Sequence, residues 1–220
     1  MHSITRFVRF ELLLLLTFTI IFCITLTLMR IAFTGSLMYI FLNWNLFLAM
    51  IPCFISSYLL HNSININRYA MGLLAATWLL FFPNAPYMLT DLFHLNERNG
   101  MPKWFDLIML LSFSWAGLLL GFISLFHIEQ LLLKKCSAVK TQVLIITMLF
   151  MASFGVYLGR FLRWNSWDII TTPHLILMDI ADRFIHPWMH GRTWGVTLLL
   201  GTLLTFIYWS IKVMMKNIKT

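Results

Sequence analysis

Apolar residues fall in six long runs separated by short polar stretches. Residues about 11–30, 37–60, 70–92, 106–127, 141–159 and 194–213 each approach the roughly 20 residues with which a helix crosses a bilayer. The pattern predicts an all-α, polytopic transmembrane helical bundle of about six spans, forming a single integral membrane domain over residues 1–220. The first run follows Arg6 and Arg9, as a signal peptide would. It is longer than an ordinary signal core and lacks a small-residue cleavage site, so it reads as a retained span.

The third run is interrupted. Tyr69 to Phe82 supplies only about 14 residues, or roughly 21 Å of helix, less than the roughly 30 Å of hydrocarbon. Pro83-Asn84-Ala85-Pro86 then breaks the helix at outer-leaflet depth. Irregular backbone is tolerated there only when protein or a wet cavity surrounds it, and broken helices of this kind mark binding sites in transporters. The plainer alternative is a proline kink in which Asn84 bonds the freed carbonyls. In the second run Pro52 predicts a bend, and Asn43 and Asn45 predict bonds to a neighbouring helix. Between the fifth and sixth runs, Thr172 reads as an N-cap and Pro173 as the first residue of a short helix of about residues 173–186. Its apolar residues place it in or against the membrane interface, and Pro187 and Gly191 end it.

Composition narrows the class. With 60% hydrophobic residues, 11% charged and a mean hydropathy of +0.82 over 220 residues, the chain cannot clothe a soluble domain. The net charge of +8 does not form a basic stripe, which excludes nucleic acid as a partner. Basic residues instead flank the runs, as the positive-inside rule requires. Arg6, Arg9, Arg68, Lys134, Lys135, Lys140, Lys212, Lys216 and Lys219 fall inside, with Arg30, Arg98, Lys103, Arg160, Arg163, Arg183 and Arg192 outside. The acids Asp91, Glu97, Asp106, Asp168, Asp179 and Asp182 join the outer set, leaving Glu11 and Glu129 inside. Both termini are then cytoplasmic and the protein is a multi-pass component of the cell (plasma) membrane. Cys23, Cys53 and Cys136 suit neither a disulfide framework nor a thiolate metal site.

Two polar clusters carry the candidate chemistry, and both face the extracytoplasmic side. Asp91 and His94 sit three apart, on one face if Pro86 restarts a helix. They suit acid–base work or a pair of metal ligands, and two ligands do not make a metal site. Arg160 and Arg163 share a helix face in the same way and suit bidentate capture of a phosphate or carboxylate. Snorkelling within an aromatic belt is the alternative. Gly155 and Gly159 permit close approach of another helix. Asn165 and Asp168 read as N-cap and N3 of a helix, with catalysis the second role for Asp168. Asn84 and Tyr87 would orient a head group. Asp179, Asp182 and His186 line one face of the short outer helix, with Arg183 as the i+4 partner of Asp179, and read as solvated ion pairs. His174, His186 and His190 lie on the same side as the site, whereas His61 and His127 belong to the cytoplasmic ends. No P-loop, Rossmann fingerprint, G-x-S-x-G or HExxH occurs, so the sequence names no cofactor.

The segments FPNAPYMLTDLFHL, Trp104-Phe105-Asp106 and GVYLGRFLRWNSWD resemble, over nearly the whole chain, a bacterial family of small multi-pass membrane proteins catalogued as a domain of unknown function. That resemblance implies a conserved polar cluster at Asn84, Asp91, Arg160, Arg163, Asn165 and Asp168, and implies no activity. The residues themselves suggest binding or processing of an anionic lipid head group or lipid-linked phosphate. A non-catalytic partner of another membrane protein and a small transporter are the alternatives.

Overall fold

A computed structural model describes residues 2–63, 66–95 and 100–218, with side chains from residue 11 to 217 of these. Glu97, Arg98 and Lys219 of the charge argument lie outside the described residues, as do the side chains of Arg6 and Arg9. The elements are helical throughout: α1 (His2–Thr34), α2 (Phe41–Asn62), α3 (Arg68–Phe81), α4 (Asn84–Tyr87), a 3₁₀ stretch Met88–His94, α5 (Lys103–Leu133), α6 (Ala138–Phe161), α7 (Asp168–Thr171), α8 (Pro173–Ile185), a 3₁₀ turn Pro187–His190, and α9 (Gly191–Ile218). Six segments are long and apolar enough to cross a membrane: Glu11–Thr34, Phe41–Asn62, Arg68–His94, Lys103–Leu133, Ala138–Phe161 and Pro187–Asn217. They match the six runs read from the sequence, with ends that differ by up to about two turns, the second span starting later and the fourth and sixth running longer. The protein is a multi-pass membrane protein.

Side-chain caps start two of the spans. The Asn67 carbonyl accepts the Ala70 N–H at 2.7 Å, and Ser137 Oγ accepts that of Lys140 at 3.4 Å, satisfying donors that a helix start leaves open. Hydroxyls on bare helix faces turn inward: Thr17 donates to Leu13 O and Thr147 to Val143 O, at 2.8 and 2.9 Å. A threonine can face lipid only because that bond hides its polar hydrogen. α5 is the most enclosed span, with Met109, Leu110, Phe113 and Leu125 fully buried. α1 and α2 pack on one part of it through Cys23, Leu42 and Ala49. Ile145, Leu149, Leu204 and Tyr208, from α6 and α9, form a second core with α3 and the other end of α5.

The third span is broken where the sequence predicts. α3 stops at Phe81, a one-turn α4 follows Pro83, and a 3₁₀ stretch completes the segment. This piece is gripped from both sides by glycines. A Cβ at Gly117 of α5 would stand 2.7 Å from Ala85 O, and one at Gly121 2.9 Å from Ala85 Cβ. On α6, a Cβ at Gly155 would stand 2.6 Å from Pro83 Cγ, and one at Gly159 3.2 Å from the Tyr87 ring. Two small-xxx-small faces thus clasp one short segment.

Candidate functional site

Pro83 and Pro86 lack N–H donors, so the break strands carbonyls at the end of α3. Asn84 Nδ2 donates to Phe81 O at 2.9 Å and to Ser166 Oγ at 3.1 Å, and Ser166 Oγ donates to Leu80 O at 3.4 Å. Asn84 therefore does what the plain kink reading asks of it, and it also ties the break to the loop after α6.

In the 3₁₀ stretch, residues three apart eclipse one another. Tyr87 and Thr90 stack on one edge, Asp91 and His94 on the next, and Arg160 from the last turn of α6 meets all four. Its Nε donates to Thr90 Oγ1 at 2.7 Å, its Nη1 to His94 Nε2 at 2.8 Å, and its Nη2 to Asp91 Oδ1. Its Cζ lies 4.4 Å from the Tyr87 ring centre. A guanidinium can only donate, so His94 accepts through Nε2 and carries its proton on Nδ1. Asn45 Nδ2 takes the other Asp91 oxygen at 3.1 Å; it is the interhelical bond read from the sequence. Asp91 is 1% exposed and the Arg160 side chain 11%.

A second buried pair lies beside the first. Arg30 Nε and Nη2 donate to the two carboxylate oxygens of Asp106 at 2.7 and 3.2 Å, with both side chains 1% exposed. Arg30 also stands 4.3 Å over the Tyr39 ring, and Tyr39 OH donates to His94 O at 2.8 Å. One network thus joins α1, α2, the 3₁₀ stretch, α5 and α6. Sequence reasoning placed Arg30 and Asp106 only as outer charges. The available signal was a lone arginine closing an apolar run, since an ionisable group at such a position has a partner by default.

Next to this network is a cavity of about 600 Å³. Thr147, Met151, Phe154 and Leu158 of α6 line it together with residues of α2, α3 and α9 and with Ile176, Ile180 and Phe184 of α8. From Thr147 to Gly159 the wall runs roughly 18 Å, near the ~15 Å depth of one leaflet. Its amides gather at the end shared by Asn45, Asn84, Tyr87, Asn165 and Ser166, with Thr147 and Thr197 as further polar residues of the lining. α8 is seated there by Trp164 Nε1, which donates to Asp179 Oδ2 at 2.7 Å, and by ring contacts of Phe184 with Phe154 and Trp194.

A family model described as a protein of unknown function (DUF1361) matches residues 44–207. The chain belongs to the DUF1361 family. The match begins within α2 and leaves out α1, so it is narrower than the resemblance read from the motifs. Comparisons with curated proteins and with solved structures return no match.

In this DUF1361 protein the expected site residues separate into three groups. Asp91, His94 and Arg160 come together with Tyr87. Asn84, Tyr87 and Asn165 line the cavity, which Asp91, His94 and Asp168 do not reach. Arg163 does not share a face with Arg160, because α6 ends at Phe161 and Arg163 turns into the left-handed region at φ 63°. It is exposed, and among the described residues it has no hydrogen-bond or ion-pair partner. Asp168 caps: its Oδ2 accepts the Asn165 backbone N–H at 2.7 Å and Asn165 Nδ2 at 3.2 Å. The cap residue of α7 is Trp167 and Asp168 its first residue, two positions short of the N3 position expected. Thr172 likewise precedes Pro173 as expected, but its hydroxyl points back to Asp168 O rather than capping α8.

The outer histidines stay apart from the site. His186 Nδ1 and His190 Nε2 bond the two Asp182 oxygens at 2.8 and 2.7 Å. Those bonds, from His186 first, hold the Asp182 carboxyl below the usual carboxylate range. Arg183 pairs with Asp179 at 3.5 Å but is buried, not solvated as expected. Among the described residues no three His, Cys, Asp or Glu side chains are grouped to hold a metal ion.

Proposed function

We propose that this protein binds a lipid-linked ligand at the outer face of the plasma membrane. The ligand's chain lies in the cavity, its polar head lies against Asn84, Asn165 and Ser166, and an anionic group meets Arg163. The observation that carries this reading is the cavity itself: one leaflet deep, mostly apolar along α6, with its amide side chains at the end where the broken span emerges. Pockets of this size with a few placed polar groups are where small ligands bind. The left-handed backbone of Arg163 adds support. A non-glycine residue is costly there, and such strain clusters at functional positions.

Binding is favoured over catalysis. Asp91 and His94 are both held by Arg160, and neither lines the cavity, so no acid or base among the candidates faces a ligand. Arg160 itself is neutralised by Asp91, which leaves Arg163 as the cation for an anion.

The test is native mass spectrometry of the protein purified with its bound lipid. Met151→Trp fills the middle of the cavity and should strip the adduct. Arg163→Ala should reduce the anionic share of what remains bound. An unchanged lipid load in Met151→Trp would reject the cavity as the binding site.

A further inference from the structure

The reading above leaves the chemistry of the head group open, and the cavity's polar end restricts it. No charged side chain lines the cavity among the described residues. At its polar end it offers three amides, Asn45, Asn84 and Asn165, with the hydroxyls of Tyr87 and Ser166, and α9 adds the Thr197 hydroxyl and the Trp194 indole N–H, neither with a partner among the described residues. Each amide donates through its NH₂ group to a protein acceptor, Asn84 through both N–H bonds and Asn45 and Asn165 through one. Asn45 donates to Asp91 Oδ2, Asn84 to Phe81 O and Ser166 Oγ, and Asn165 to Asp168 Oδ2. A carboxylate or backbone carbonyl can only accept, so these bonds also fix which way each amide is turned. What remains for a ligand is a mixed set: three side-chain carbonyl oxygens, none of which has a partner among the described residues, and as donors the second N–H of Asn45 and of Asn165 with the Tyr87 hydroxyl.

Three indoles, Trp44, Trp164 and Trp167, border the same end. Trp44 and Trp167 are 54% and 40% exposed, so their faces are open rather than packed. An aromatic face carries negative charge density and attracts C–H bonds polarised by neighbouring oxygens.

A head group that fits must both donate and accept hydrogen bonds, carry no charge where it touches the wall, and present a C–H face. A phosphodiester anion donates nothing, so it would leave the three carbonyls unpaired, and it would meet no cation in the lining. A quaternary ammonium would suit the indoles but would leave the same carbonyls unpaired, which is costly once water is excluded. A sugar meets all three requirements. We infer that the ligand is a lipid-linked sugar, its hydroxyls donating to the Asn45, Asn84 and Asn165 carbonyls and its ring lying on an indole face. The inference rests on the lipid-binding reading. It is compatible with an anionic linkage at Arg163, which stands outside the lining.

The experiment uses the full-length protein, stripped of lipid and held in an amphipathic polymer. Four probes with one chain are titrated against it: dodecyl glucoside, dodecyl phosphate, dodecylphosphocholine and dodecanol. The glucoside should bind about tenfold or more tightly than the other three, as two or three net hydrogen bonds allow. In Asn165→Leu and in Trp44→Leu, both at exposed positions, the ratio of glucoside to dodecanol affinity should fall towards one. Asn84→Leu is avoided because Asn84 also holds the helix break. Equal binding of all four probes, or variants that keep the full preference, overturns the sugar and leaves the lipid-binding reading standing. Tighter binding of dodecylphosphocholine overturns it in favour of an aromatic cage for a cation. If no probe binds, both readings fall.

Discussion

Arg160 donates to Thr90, His94 and Asp91 while resting on Tyr87, so its charge is consumed within the protein. Truncating it would leave the Asp91 carboxylate buried with only Asn45 for company. Arg160→Ala should therefore lower stability by about 3–5 kcal/mol, read as a large drop in thermal midpoint in detergent. Arg160→Lys should recover little, because an ammonium cannot serve three fixed directions from one planar group. Arg163 should behave oppositely. Arg163→Gly removes a side chain from a left-handed backbone and should raise stability by about 1 kcal/mol while weakening retention of anionic lipid. A variant that stabilises the fold and keeps its lipid would leave that backbone conformation without a functional explanation. The two arginines looked equivalent in sequence because residues three apart share a face only while the helix continues. Nothing in the spacing shows that α6 stops at Phe161. Asp91, His94 and Asn84 were legible as polar residues in an apolar setting, but their partners were not. Thr90 and Tyr39 are unremarkable in sequence and become important only through contacts across 70 and 55 positions.

At the scale of elements, the broken span depends on glycines more than on its prolines. Gly155→Ala would place a methyl group 2.6 Å from the Pro83 ring, overpacking that should cost about 1–3 kcal/mol. Gly72→Ala in α3 meets nothing within 4 Å and should be neutral or stabilising by up to about 1 kcal/mol. Equal thermal midpoints for the two variants would refute the clasp. The break was readable because two prolines within four residues cannot continue a helix. Gly155 and Gly159 were readable as a close-approach face, but what approaches them was not. Gly117 and Gly121 passed unnoticed in the middle of an apolar run, where small residues carry no signal until a neighbour is seen. α8 followed from Thr172-Pro173 and its apolar residues. Its contribution to the cavity through Ile176, Ile180 and Phe184 required the tertiary arrangement.

Across the whole molecule, the six spans were legible from hydropathy alone, since bilayer thickness fixes their length. Ion pairs mark both ends of the bundle: Arg30–Asp106 and Asp91–Arg160 at one, Glu129–Lys212 at 2.5 Å at the other. The first end is expected to face outward. A membrane-impermeant maleimide should then label His186→Cys in intact cells, and Cys136, between α5 and α6 at the opposite end, only after permeabilisation. The reverse pattern would invert the topology and with it the outer-leaflet origin of any ligand. One mechanical consequence follows from the doubly clasped segment. Pro83, Asn84 and Tyr87 form part of the cavity wall; Pro83 and Tyr87 bear on α6 at Gly155 and Gly159, and Ala85 of the same segment bears on α5 at Gly117 and Gly121. A ligand that pushes on this wall cannot be accommodated by the segment alone. It would shift the spacing of two full spans, so filling the cavity and prising α5 from α6 would be the same movement.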